Sequence, residues 1–149
     1  MEPLYFEDIE AGQVRELGSF SVTEREIMAF AEQYDPQDLH TDPEAAAESI
    51  YGGLIASGWH TACLCMRLLV DGLLGPAESM GASGLEELSW HAPVRPDQEI
   101  HVTNEIVETR ASGSRDDRGY VKNKTVGRDN EGNPVITMVA NNIIGRRPD

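Results

Sequence analysis

The stretch GGLIASGWHTACLCMRLLVDGLLG, residues 52–75, decides how this chain folds. Gly52 and Gly53 mark a tight turn with close backbone approach. Ser57 is a good helix N-cap and predicts a helix from about Gly58 to Val70. That helix carries Trp59, Ala62, Cys63, Leu64, Cys65, Met66, Leu68, Leu69 and Val70. The apolar residues run nearly all round it instead of forming one stripe, which predicts burial on most faces.

The material that could bury it lies on both sides. GLEELSWHAPV, residues 84–94, has Leu88, Trp90, Ala92 and Val94 at period two, and EIHVTNEIVETR, residues 99–110, has Ile100, Val102, Asn104 and Ile106 likewise, with Arg95-Pro96-Asp97-Gln98 as the turn between them. YVKNKTVGRD and PVITMVANNIIGR flank Asn130-Glu131-Gly132-Asn133, a hairpin connection. Before the helix, a turn at Glu10-Ala11-Gly12 leads into one strand, Val14 to Val22. Strands segregated from helices argue an α+β domain. A curved antiparallel sheet wrapped round a buried central helix satisfies the pattern, as one domain over residues 1–149.

The bulk numbers narrow the function classes. The chain has 26 Asp and Glu against 12 Lys and Arg, a formal net charge of −14. Such a surface repels phosphate backbones, which argues against nucleic acid as a partner. No stretch approaches 18 uninterrupted apolar residues, so no membrane partner is expected. The acidic N-terminus lacks a signal-peptide pattern, and the expected location is cytoplasmic. Cys63 and Cys65 are two residues apart on a helix and point about 200° from each other, so they cannot chelate one metal or pair together. Both read as small core residues of a reducing compartment.

The crowded segment is YDPQDLHTDP, residues 34–43. Thr23 and Glu26 form a capping box. Ile27, Phe30, Ala31 and Tyr34 then fall on one helical face. Pro36 ends that helix and leaves Asp35 at its exit. Asp42-Pro43 opens the next short helix, with Asp42 as N-cap. This leaves Asp35, Asp38 and His40 in a bend bounded by two prolines.

A carboxylate and an imidazole converging on one small volume can hold and activate a water. The same pair can instead be a structural hydrogen bond that pins the connection, and the spacing alone fits both. His40-x-Asp42 offers too few ligands for a metal site. His60, on the buried helix, reads as a hydrogen-bonded core or interface residue. His91 and His101 read as solvated. In GGLIASGWH, Gly53, Ser57 and Gly58 suffice to cap a buried helix. The first-turn amides are also unpaired and carry the positive end of the helix dipole, so Gly58 could hold a ligand oxygen.

YFEDIEAG, FAEQYDPQDLHTDPEAA, GGLIASGWHT and HAPVRPDQEI together resemble the MaoC-like dehydratases, the (R)-specific enoyl-CoA hydratase group of the hot-dog fold. The resemblance runs from about Tyr5 to Ile144. The hydratase motif Asp-x-Asn-Pro-(Leu/Ile)-His-x-Asp is matched by Asp35, Leu39, His40 and Asp42. Gln37 replaces its asparagine and Asp38 its proline. The resemblance implies that Asp35 and His40 bind the water added to, or lost from, a 2-enoyl-CoA. It implies that the amide of Gly58 holds the thioester oxygen, with Gly53, Ser57 and Trp59 at the substrate. No metal and no cofactor is implied.

Asp38 runs against this pattern. A carboxylate near His40 favours the imidazolium, so Asp38 either points to solvent or raises the pH optimum for hydration. The resemblance also implies a homodimer or dimer-based homo-oligomer with joined sheets and an acyl tunnel near the interface. Tyr34, Tyr51, Trp59 and Trp90 are the residues that would set its depth. Arg95, Lys122, Lys124, Arg128, Arg146 and Arg147 are the cations available to CoA phosphates. An acidic carrier protein would be repelled, which favours CoA. Two rivals share the fold: an acyl-CoA thioesterase, and an acyl-thioester-binding subunit without catalysis.

Overall fold

A computed structural model describes residues 2–149. Five antiparallel strands form one sheet: β1 (Val14–Phe20), β2 (Ser79–Trp90), β3 (Ile100–Ala111), β4 (Arg118–Arg128) and β5 (Pro134–Gly145). They lie in the order β1-β3-β4-β5-β2. Four helices precede β2: α1 (Glu24–Tyr34), α2 (Asp38–Thr41), α3 (Pro43–Ala47) and α4 (Gly58–Leu69). Helix α4 packs against β1, β3, β4 and β5. This is the expected α+β hot-dog arrangement of a sheet wrapped on a helix.

Period two does its work in β3. Ile100, Val102, Asn104 and Ile106 are all buried, while His101 and Glu105 face out. Cys65 projects from α4 to the sheet at Gly127. A Cβ on Gly127 would lie 2.9 Å from Ile136 and 3.0 Å from Ile100, with the Cys65 sulfur 3.7 Å away. The helix can settle this closely because the strand offers no side chain there. Burial in this contact pushes the Cys65 thiol up to about 12.

The capping chemistry is as predicted. The Thr23 hydroxyl accepts from Glu26 N–H at 3.1 Å, and Glu26 Oε1 accepts from Thr23 N–H at 3.0 Å. Asp42 Oδ1 accepts from the amides of Glu44 and Ala45.

Several expectations are corrected. The first strand stops at Phe20, opposite Ile100. Beyond Ile100 there is no partner strand, and Val22 gives its carbonyl to Asp97 N–H instead. The next strand begins at Ser79 and ends at Trp90, so Ala92 and Val94 fall past it. Pro93 lacks the donor that further pairing requires. The bend after α1 contains one short helical turn, α2. Helix α4 ends at Leu69 and runs on as a π-helical turn, Val70–Leu74.

Nor is α4 buried on most faces. Trp59, Cys63 and Met66 are exposed, because the sheet covers only one side. Cys63 is therefore a surface residue and only Cys65 belongs to the core. Among the described residues no helix is long and apolar enough to cross a membrane.

Candidate active site

The sequence places Asp35 at a helix exit, and there it is the C-cap of α1, its backbone N–H bonded to Ala31 O. Its carboxylate is held from two sides. Gln37 Nε2 donates to Oδ1 at 2.7 Å and the Ser57 hydroxyl donates to Oδ2 at 2.7 Å. These two hydrogen bonds, Gln37 first, lower the Asp35 pKa against the opposing effect of burial.

His40 comes from α2 and is buried. Its Nδ1 lies 2.7 Å from the carbonyl oxygen of Ile55. A carbonyl can only accept, so Nδ1 carries the proton of that bond. The Ile55–Ala56 segment is itself fixed, with Ile55 N–H bonded to Leu39 O and Ala56 N–H to Val94 O. The ring is thereby oriented with Nε2 towards Asp35 Oδ2, 3.4 Å away. In neutral His40 that nitrogen is bare, so two acceptors face each other. A water beside the pair can donate one O–H to each, whereas in protonated His40 the Nε2–H donates to Asp35 and pins the connection directly. Asp38 is exposed in the first turn of α2. Of the two alternatives it presented, it takes the solvent-facing one.

Helix α4 supplies the other half of the site. Ser57 caps it by accepting from Trp59 N–H at 3.3 Å. Gly58 is its first residue, and no hydrogen bond engages the Gly58 amide among the described residues. The Gly58 carbonyl accepts from Trp90 Nε1 at 2.8 Å. Trp59 and Trp90 meet edge to face, ring centroids 5.3 Å apart.

Asp35, His40, Gly58 and Trp59 all line one cavity of about 450 Å³, together with Gln37, Tyr51, Thr61, Trp90 and His91. A second cavity of about 300 Å³ shares Trp59 as a wall and is bounded by Met66, Leu69, Leu85 and Met138. Other predicted residues lie elsewhere. Gly53 does not line the cavity; a Cβ there would sit 3.6 Å from Arg95 Nη1. Tyr34 projects outward, 67% exposed. The Ser57 hydroxyl is committed to Asp35 and Trp59.

His60 is buried and stacked on Phe30 at 4.5 Å, but its Nδ1 finds no hydrogen-bond partner. Burial lowers its pKa. His91 is hydrogen-bonded to the Thr137 hydroxyl at 2.8 Å as well as exposed at the cavity rim. Arg146 and Arg147 are ion-paired with Glu7 and Asp8, and Lys122 with Glu86 and Glu108. Arg128 donates to Thr103, and Arg95 is the cation beside the loop that leads into α4. Among the described residues no three metal-ligating side chains converge.

Comparison with known proteins places these features in context. The family model described as "MaoC like domain" matches residues 8–128. The MaoC-like dehydratase from Rhodospirillum rubrum is 40% identical and superposes with a TM-score of 0.90, covering 98% of this chain and 99% of that one. An (R)-hydratase from A. caviae involved in PHA biosynthesis is 27% identical, with a TM-score of 0.72 over 94% of this chain and 98% of that one. Nodulation protein N of Rhizobium meliloti (strain 1021) is 31% identical over 147 residues, 92% of this chain and 89% of that protein.

Proposed function

This chain belongs to the MaoC-like domain family, and from that premise we propose that it reversibly adds water to a 2-enoyl-CoA, giving a 3-hydroxyacyl-CoA. One observation carries the reading. His40 Nδ1 is tied to the Ile55 carbonyl, so that Nε2 faces Asp35 Oδ2 across 3.4 Å, and in neutral His40 both of these atoms are acceptors. That is a seat for a water held by both its protons.

The water oxygen bonds to the β-carbon. The alkene electrons move through the α-carbon onto the thioester oxygen, and a proton returned to the α-carbon completes the addition. The Gly58 amide, unpaired at the positive end of α4, faces the growing charge on that oxygen. It holds the oxygen more strongly as the enolate forms, which lowers the barrier instead of merely tightening binding.

The apolar cavity beyond Trp59 takes the acyl chain. Arg95 meets the phosphates of CoA. A second copy of the chain covers the exposed face of α4 and the free edge of β2, whose residues Met80 and Leu85 are exposed.

The test is loss of 2-enoyl-thioester absorbance with crotonyl-CoA and longer trans-2-enoyl-CoAs, beside the Asp35→Asn protein. Native turnover and a fall of about a hundredfold or more in the variant are expected. Release of free thiol from a saturated acyl-CoA would make the protein a thioesterase, and binding without turnover a carrier subunit.

A further inference from the structure

Ser57 stands at the one place where both halves of the site meet. It is fully buried. Its oxygen accepts from Trp59 N–H at 3.3 Å, in the first turn of α4, and its proton goes to Asp35 Oδ2 at 2.7 Å. The partner carboxylate lies 22 residues away in sequence. Oδ2 is also the oxygen that faces His40 Nε2. The other oxygen, Oδ1, takes the Gln37 amide.

Capping alone explains only the bond to Trp59. A serine cap needs to accept, and any acceptor or water in solvent could take its proton. Here the proton is directed at the carboxylate oxygen that faces His40 Nε2. A donor on each oxygen leaves the carboxylate with no need for a proton of its own, and its plane is fixed from two sides, by the residue that precedes α2 and the residue that caps α4.

We propose that Ser57, assisted by Gln37, is a positioning residue that keeps Asp35 an oriented anion, so that the proton leaving water goes to His40 Nε2. This rests on the hydratase reading for its catalytic consequence. In the hydration step the water O–H bond breaks, its proton passes to Nε2 and its oxygen bonds to the β-carbon. The imidazolium then returns a proton to the α-carbon as the enolate collapses, and His40 is regenerated. Asp35 accepts a hydrogen bond throughout and changes no proton. Because the same hydroxyl caps α4, Ser57 also sets the distance between the water seat and the Gly58 amide.

The experiment follows the Asp35 carboxyl by ¹³C NMR against pH, with steady-state kinetics on crotonyl-CoA, in native protein, Ser57→Ala, Ser57→Thr and Gln37→Ala. The expected result is an Asp35 midpoint that rises in both Gln37→Ala and Ser57→Ala and returns in Ser57→Thr. The kcat falls about ten- to a hundredfold in Ser57→Ala, the loss of a hydrogen bond to a charged group, with KM little changed. Gln37 is exposed, so its variant folds even if a buried change at position 57 does not. An Asp35 midpoint that neither alanine variant moves overturns the proposal. So does a loss of kcat matched by Ser57→Thr when the folded fraction is native. If native protein turns over no enoyl-CoA, the hydratase reading fails, and the carboxyl titration still decides whether Ser57 and Gln37 hold Asp35 ionised.

Discussion

Trp90 lies flush against Gly58. Its indole N–H donates to the Gly58 carbonyl at 2.8 Å, and a Cβ on Gly58 would stand 2.6 Å from Nε1 and 2.8 Å from Cδ2 of the same ring. Glycine is required here by a neighbour 32 residues on, quite apart from any ligand.

Gly58→Ala should therefore destabilise the protein by about 1–3 kcal/mol through overlap with the indole, and should lower kcat/KM as the α4 amide is pushed away. Combining it with Trp90→Ala separates the causes. If the indole is the obstacle, the cost of Gly58→Ala measured by denaturation shrinks in the Trp90→Ala background. An unchanged cost would place the strain in the backbone instead.

This contact marks where the sequence stopped being legible. Local chemistry could be read: Thr23 with Glu26, Pro36 as a stop, Asp42-Pro43 as a start, and the hairpin at residues 130–133. Each is decided by groups within a few residues. Asp35 and His40 could be proposed because both sit on one bend. The Ile55 carbonyl that fixes His40 and the hydroxyl that holds Asp35 come from residues 15 and 22 positions later, and no periodicity encodes such contacts. The first half of strand β2 is not legible for a related reason. Its opening, SMGASG, has turn composition, and pairing with β5 overrides it. Helix α4 read as buried all round because a sequence pattern does not distinguish a face covered by the chain's own sheet from one left open.

Asp38 offers a clean control. It departs from the hydratase motif, yet it is exposed at the start of α2. Asp38→Asn should leave the pH–rate profile of hydration where it is, within error, and change stability by no more than about 0.5 kcal/mol. A displaced profile would mean that the carboxylate reaches His40 during turnover.

The chain ends are clasped by a carboxylate far from the site. Glu7 accepts from the Arg147 amide at 2.8 Å and from Arg146 Nε at 2.9 Å. The Arg147 bond first, then the Arg146 side chain, holds its pKa at about 2 against an ordinary 4.5. A carboxyl with a lowered folded pKa stabilises the protein above its unfolded value, and that contribution is lost as pH falls through the folded one. Glu7→Gln should melt below native protein at pH 7. The gap should narrow as pH is lowered from 4.5 towards 2. A gap constant over that window, by thermal denaturation at each pH, would show that the clasp acts through packing and not charge.

Trp59 is the wall common to the polar cavity of about 450 Å³ and the apolar one of about 300 Å³. It is 56% exposed, so removing it costs little core. Its ring is held edge to face by Trp90 at the rim, between the two cavities. Trp59→Ala should merge the two cavities. The expected outcome is a chain-length profile displaced to longer enoyl-CoAs. Efficiency on crotonyl-CoA should fall about tenfold, because a short acyl group loses the wall that confines it. Asp35 and His40 are untouched, so kcat on the best long substrate should stay near the native value. A uniform fall at every chain length would instead make Trp59 part of the support for α4. That outcome should then appear equally in Trp90→Phe, which removes the indole N–H bond to Gly58 and keeps an aromatic ring beside Trp59.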